Sequence, residues 1–168
     1  VCSSDLKKIM MMLAFVLVCM VAGAKDPEVV DVSITGEGVG NGGRPTITAT
    51  CSAKKANKVT DDDIRRCAVR GVLFKGWTDK SNTSAYDASS NHPPIAGSAD
   101  RETMNADYFA DFFGSGEAIK YVDILPDTRK VSKNGKVYYV SQMVSVNVSE
   151  LRKKLERDGI TKSLKTGW

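Results

Sequence analysis

The sequence predicts an α+β domain: an antiparallel sheet of about five strands with three helices packed mainly on one face. Two observations define the layers. Several stretches alternate apolar and polar residues with period two, and others carry apolar residues at helical spacing behind a capping residue. A third observation sets the connectivity: neighbouring strands are joined by hairpin-type turns rather than by β-α-β crossovers, which is the pattern of an antiparallel sheet with segregated helices.

The elements follow in order. Val30, Val32 and Ile34 alternate with Asp31, Ser33 and Thr35 as a half-buried strand, and the glycine-rich stretch 36–43 turns the chain into a second strand over 46–53. Thr60 with Asp61, Asp62 and Asp63 supplies an N-cap and an acidic first turn for a helix whose buried stripe is Ile64, Cys67, Ala68 and Val72. This helix ends near 73–77, where Val72-Leu73-Phe74 could instead form a short buried strand. Residues 78–97, rich in Ser, Asn, Asp, Gly and Pro, read as one long loop. A second helix is predicted over 99–113, with Met104, Tyr108, Phe109, Phe112 and Phe113 on a wide apolar face. A strand over 119–125 follows, then two long strands joined at Lys133-Asn134-Gly135-Lys136, where Asn-Gly demands two positive φ angles. In the strand 137–148, Tyr138, Val140, Val144, Val146 and Val148 share one face. Ser149 is expected to cap a third helix carrying Leu151 and Leu155 and ended by Gly159, with Leu164 and Trp168 closing the chain.

The N-terminal 24 residues stand apart. Lys7 and Lys8 precede an unbroken apolar run from Ile9 to Val21, and Ala22-Gly23-Ala24 closes it with a small-x-small pattern. This is read as a signal peptide cleaved after Ala24, so the mature protein is expected in the periplasm or secreted. The run is too short for the roughly 20 residues that span a bilayer, and no transmembrane anchor is expected in the mature chain. Val1-Cys2-Ser3-Ser4-Asp5-Leu6 lacks a starting Met and places an acid beside the basic region. It reads as a translated sequencing-adapter scar, with a native Met expected directly before Lys7. Lipid attachment at Cys19 would need a small residue before it, and Val18 stands there.

The remaining 25–168 segment is the size of one domain. The full chain holds 24 Lys+Arg and 20 Asp+Glu. Its basic clusters are interrupted by acids and carry no aromatic ladder, which argues against nucleic-acid binding. Two cysteines remain in the mature part. Cys51 shares a strand face with Ile47 and Ala49, and Cys67 a helical stripe with Ile64, Ala68 and Gly71, so both sulfurs point inward. They form either a strand-to-helix disulfide or two separate buried thiols.

The motifs that could carry chemistry mostly have simpler explanations. Gly38-Val39-Gly40-Asn41-Gly42-Gly43 satisfies G-x-G-x-x-G, but Arg44-Pro45 leads into a strand and not the helix a dinucleotide needs, so no cofactor is expected. His92 is the single histidine and lacks the companions of a metal site, and there is no G-x-S-x-G elbow. Asp61, Asp62 and Asp63 are accounted for by the helix dipole. No catalytic and no metal-binding residue is assigned. Trp77, Tyr86 and His92 flank or occupy the long loop and are the candidate partner-binding residues, although Trp77 could equally plug the end of its helix.

Three blocks carry a family likeness. They are Cys67-Ala68-Val69-Arg70-Gly71-Val72-Leu73-Phe74-Lys75-Gly76, Asp107-Tyr108-Phe109-Ala110-Asp111-Phe112-Phe113, and the tail from Val146-Asn147-Val148-Ser149-Glu150-Leu151 through Arg152-Lys153-Lys154-Leu155 to Gly159-Ile160. In these the chain resembles an uncharacterised family of small exported proteins of Bacteroides-type bacteria. The resemblance implies an exported compartment and one domain over most of the mature chain, and it implies no active site. A strand, a helix with small residues and the final strand-to-helix unit are together also similar to the α+β modules of flagellar and curli assembly accessory proteins. The expectation is a non-enzymatic envelope or secreted protein that binds a protein or envelope partner through segment 77–94 or a sheet edge. A small periplasmic hydrolase, or a carbohydrate-binding module stacking on Trp77, Tyr86 and Trp168, are the alternatives.

Overall fold

The computed structural model describes residues 32–80, 90–98 and 100–162. The expected leader, Tyr86, Leu164 and Trp168 lie outside the described residues. Among them the chain runs β1 (Val32–Val39), β2 (Pro45–Ala53), α1 (Asp61–Phe74), β3 (Trp77–Thr78), β4 (Asn91–His92), α2 (Asp100–Met104), α3 (Ala106–Gly114), β5 (Val122–Ile124), β6 (Lys130–Asn134), β7 (Val137–Val146) and α4 (Val148–Arg157). The fold is α+β, as the alternating patterns predict. One antiparallel sheet has the order β1-β2-β7-β5, and β6 pairs with the half of β7 that β5 leaves free.

Period two decides the two faces of this sheet. Ile47, Ala49 and Cys51 of β2 stand opposite Val144, Gln142 and Val140 of β7, and all six are buried. Helix α1 closes over them with Ile64, Cys67, Ala68 and Val72. Its start is fixed by a capping box in which Thr60 accepts from the Asp63 N–H and the Asp63 carboxylate accepts from the Thr60 N–H. The sulfurs of Cys51 and Cys67 lie at bonding distance, and a disulfide joins strand to helix with the Cα atoms 6.3 Å apart. The opposite face carries Ser33, Thr35 and Glu37 of β1, Thr48 and Thr50 of β2, and Ser141, Met143 and Ser145 of β7.

The structure corrects several sequence expectations. Gly36 to Val39 belong to β1, because a bulge between Gly36 and Gly38 absorbs the irregularity and lets pairing continue to Pro45. The second helix is broken at Asn105, whose φ of −123° and ψ of 40° leave the helical region, while its backbone N–H and its side-chain amide both donate to the Arg101 carbonyl. Met104, expected on the apolar face, is consequently 75% exposed, while Phe109, Phe112 and Phe113 are buried. The predicted strand at 119–125 opens as a 3-10 turn, and only Val122–Ile124 pairs. In the β6-β7 hairpin Asn134 pairs with Val137, so Gly135 and Lys136 form the turn and only Gly135 has positive φ. Helix α4 is capped by Asn147, which accepts from the Glu150 N–H, and Ser149 donates to that same Asn147 oxygen. The long loop contains the β3-β4 pair, and its end at Ile95 and Ala96 caps α1 by donating to the Val72 and Leu73 carbonyls.

Candidate functional site

Two of the three predicted partner-binding residues meet because β3 pairs with β4. Trp77 stands opposite His92, and their rings stack with centroids 4.5 Å apart at 14°. His92 Nε2 lies 3.1 Å from Asp79 Oδ2. Two glycines permit this approach. A Cβ on Gly36 would lie 2.0 Å from Asp79 Oδ1 and 2.8 Å from Trp77 Cδ1, and one on Gly76 would lie 2.2 Å from the His92 carbonyl oxygen. Gly36 also accepts a hydrogen bond from Lys80 N, and Asp79 N donates to the Ser90 carbonyl, so the small pair is latched onto the outer edge of β1.

Trp77 is buried at 7% exposure, with one indole face covered by His92. Its Nε1 is enclosed without a hydrogen-bond partner among the described residues. The indole packs between His92 and the β1 backbone at Gly36, so its ring is not an open stacking face. His92 remains partly exposed.

Trp77, Asp79 and His92 form one wall of a cleft of about 660 Å³. The β1-β2 turn, from Gly38 to Pro45, forms the second wall, and the start of α4 with Asn147, Ser149, Glu150 and Arg152 forms the third. Val39 at the rim is 76% exposed. Most polar groups here are already engaged: Arg44 with Asp123 at 2.8 Å, Asp79 with His92, Ser149 with Asn147. The Lys153 ammonium, 2.8 Å from Glu150, holds that carboxyl below its usual range. Among the described residues no three His, Cys, Asp or Glu side chains gather as a metal site.

The sequence did not single out Asp79, Gly36, Gly76, Asn147 or Arg152. A signal for Asp79 was present: two residues beyond Trp77 in an extended segment, it must share the face of the indole. What could not be read was that His92 pairs back across 81–89.

Among the described residues the fold is thus α+β, with α1 covering one sheet face, hydroxyl-bearing strands on the other, and an open cleft where the Trp77–His92 pair meets the start of α4. Compared with protein-family models, curated proteins and solved structures, the chain matches none.

Proposed function

We propose that this protein is an exported, non-enzymatic binding protein that engages a protein or envelope partner at the cleft beside Trp77 and His92. One observation carries the reading. The cleft's polar groups satisfy one another instead of converging on a point where a substrate atom would react. Histidine catalysis needs a nucleophile within hydrogen-bond reach of the imidazole, whereas His92 bonds Asp79 and Ser149 bonds Asn147. An open cavity with a rigid wall, a partly exposed imidazole and an exposed apolar rim residue suits recognition. The leader-like N-terminus and the Cys51–Cys67 bridge favour an oxidising, exported location. No helix among the described residues is long and apolar enough to cross a membrane.

The test is site-directed crosslinking. A photoreactive side chain placed at the exposed Asn91 should capture one component from isolated cell envelopes, and His92→Ala in the same background should reduce that capture at least several-fold. Equal capture with and without the imidazole would refute the cleft as the binding site. A mature protein that retains the 7–21 leader inside the cell would refute the export step.

A further inference from the structure

A second cleft, also of about 660 Å³, opens on the sheet face opposite α1, away from His92. Its floor is set by strand register: Thr48 of β2 stands opposite Met143 of β7, and Ser141 of β7 opposite Lys130 of β6. Glu37 and Lys80 form one side, Asp127 and Thr128 of the β5-β6 connection the other, with Ser132 at the end. Glu37, Thr48, Lys130, Ser132, Ser141 and Met143 all fall on the same face by the alternation of their strands.

Glu37 is the organising group. Its side chain is 20% exposed, and Oε1 accepts from Thr48 Oγ1 at 2.5 Å and from the Lys80 ammonium. Partial burial pushes this carboxyl up, but the Lys80 and Thr48 hydrogen bonds and the Lys80 and Lys130 charges outweigh it, leaving it below the usual carboxylate range. It is therefore ionised at neutral pH, with Oε2 left as an acceptor that no described protein group uses. Lys130 offers a donor on the facing side and Ser132 a hydroxyl that both gives and takes. The Met143 side chain gives the floor an apolar patch.

We infer that this cleft binds a neutral saccharide. The charges decide the class. Two acids, Glu37 and Asp127, balance two lysines, Lys80 and Lys130, so neither an anion nor a cation finds a net field, and either would have to compete with the existing Glu37–Lys80 pair. A neutral polyol does not. Its hydroxyl pair can donate to Glu37 Oε2 and accept from Lys130 and Ser132, and the C–H face of its ring can rest on Met143. Thr48 bonds Glu37, Ser141 bonds Thr50 and Thr128 bonds the Leu125 carbonyl, so these hydroxyls hold the floor in shape and Glu37 Oε2, Lys130 and Ser132 are the groups presented to the ligand. The site is independent of the His92 cleft.

The probes are D-galactose, D-mannose and N-acetyl-D-glucosamine with their di- and trisaccharides, followed through backbone amide shifts. At least one should shift the amides of Glu37, Thr48, Lys130, Ser132 and Ser141 with a dissociation constant of about 1 mM or below, the range open to a small, solvated site. Glu37→Gln should weaken that binding about tenfold, and Ser132→Ala, an exposed position that leaves the fold intact, about threefold. His92→Ala should bind as the parent does. The inference is overturned if no probe moves these amides at about 50 mM, if Ser132→Ala and Glu37→Gln bind unchanged, or if inorganic phosphate moves the same amides as strongly as the sugars.

Discussion

A missing side chain at Gly36 does as much for the candidate site as the aromatic rings do. The β1 backbone passes so close to Asp79 and Trp77 that a methyl group there collides with both. Gly36→Ala should therefore cost about 2 kcal/mol, the usual range for forcing atoms into a filled site. The loss should be local as well as global. In a Trp168→Phe background the emission of Trp77 should move to longer wavelength as the indole loses its cover, and guanidinium denaturation should give the stability change. A variant with unchanged emission and midpoint would show that the pair is not held by this contact. Single residues were unevenly legible in the sequence. The inward-facing sulfurs of Cys51 and Cys67 followed from local period alone, because strand and helix each fix which side a residue faces. The glycine's role was hidden, since its neighbours Trp77 and Asp79 are distant in sequence and only the tertiary fold brings them together.

At the scale of elements, the last helix is held by a small polar network. Tyr108 of α3 donates to Asp158 just past α4 at 2.6 Å, and Lys154 reaches both Asp158 at 2.9 Å and Glu117 at 3.2 Å. Partial burial raises the Asp158 carboxyl, but the bonds from Tyr108 and Lys154 outweigh it and leave it lowered. Burial, then the Asp158 bond, raises the Tyr108 hydroxyl, and the bonds to Asp158 and Glu117 raise the Lys154 ammonium. The signs follow by linkage. A lowered carboxyl stabilises above its unfolded value of 3.8 and loses that contribution as pH falls through the folded one. The raised tyrosine and lysine contribute fully below their unfolded values of 10.0 and 10.5 and lose it as pH rises through the folded ones. Tyr108→Phe should cost about 1 kcal/mol at neutral pH, with the difference from the parent shrinking as pH falls from 3.8 through the lower folded value of Asp158. Urea midpoints across that range measure it, and a penalty that stays constant into acid would assign the effect to packing rather than to the hydrogen bond. The strongly patterned elements, β2, α1, β7 and α4, were legible because one face of each is buried. The 99–113 stretch misled because the backbone leaves the helical φ/ψ region at Asn105, a break that hydrophobic spacing does not record.

At the scale of the whole molecule, the layer order was legible, and the site was not. Alternation and turn chemistry are local and specify a sheet with helices on one side. The β3-β4 pairing closes across a dozen residues with no apolar pattern of its own, so the cleft beside His92 could not be read from the sequence. One covalent link ties the layers together, and it was foreseen as one of two outcomes. Cys51 lies in the central strand pair and Cys67 in the helix above it, 16 residues apart in sequence and both buried. A crosslink over such a loop stabilises mainly by restricting the unfolded chain, by about 3 kcal/mol. The double replacement Cys51→Ala and Cys67→Ala should accordingly lower the unfolding free energy by about that amount. It should also steepen its dependence on denaturant, because the unlinked chain exposes more surface when unfolded. Because both sulfurs are enclosed, dithiothreitol should reduce the bridge slowly under native conditions, at a rate that rises with added urea as the α1-β2 layer opens. Alkylation without reductant in denaturant tests the same point directly: two labelled thiols in the unfolded chain would show that the layers are held by packing alone, and the double replacement would then cost only the small volume lost at each sulfur.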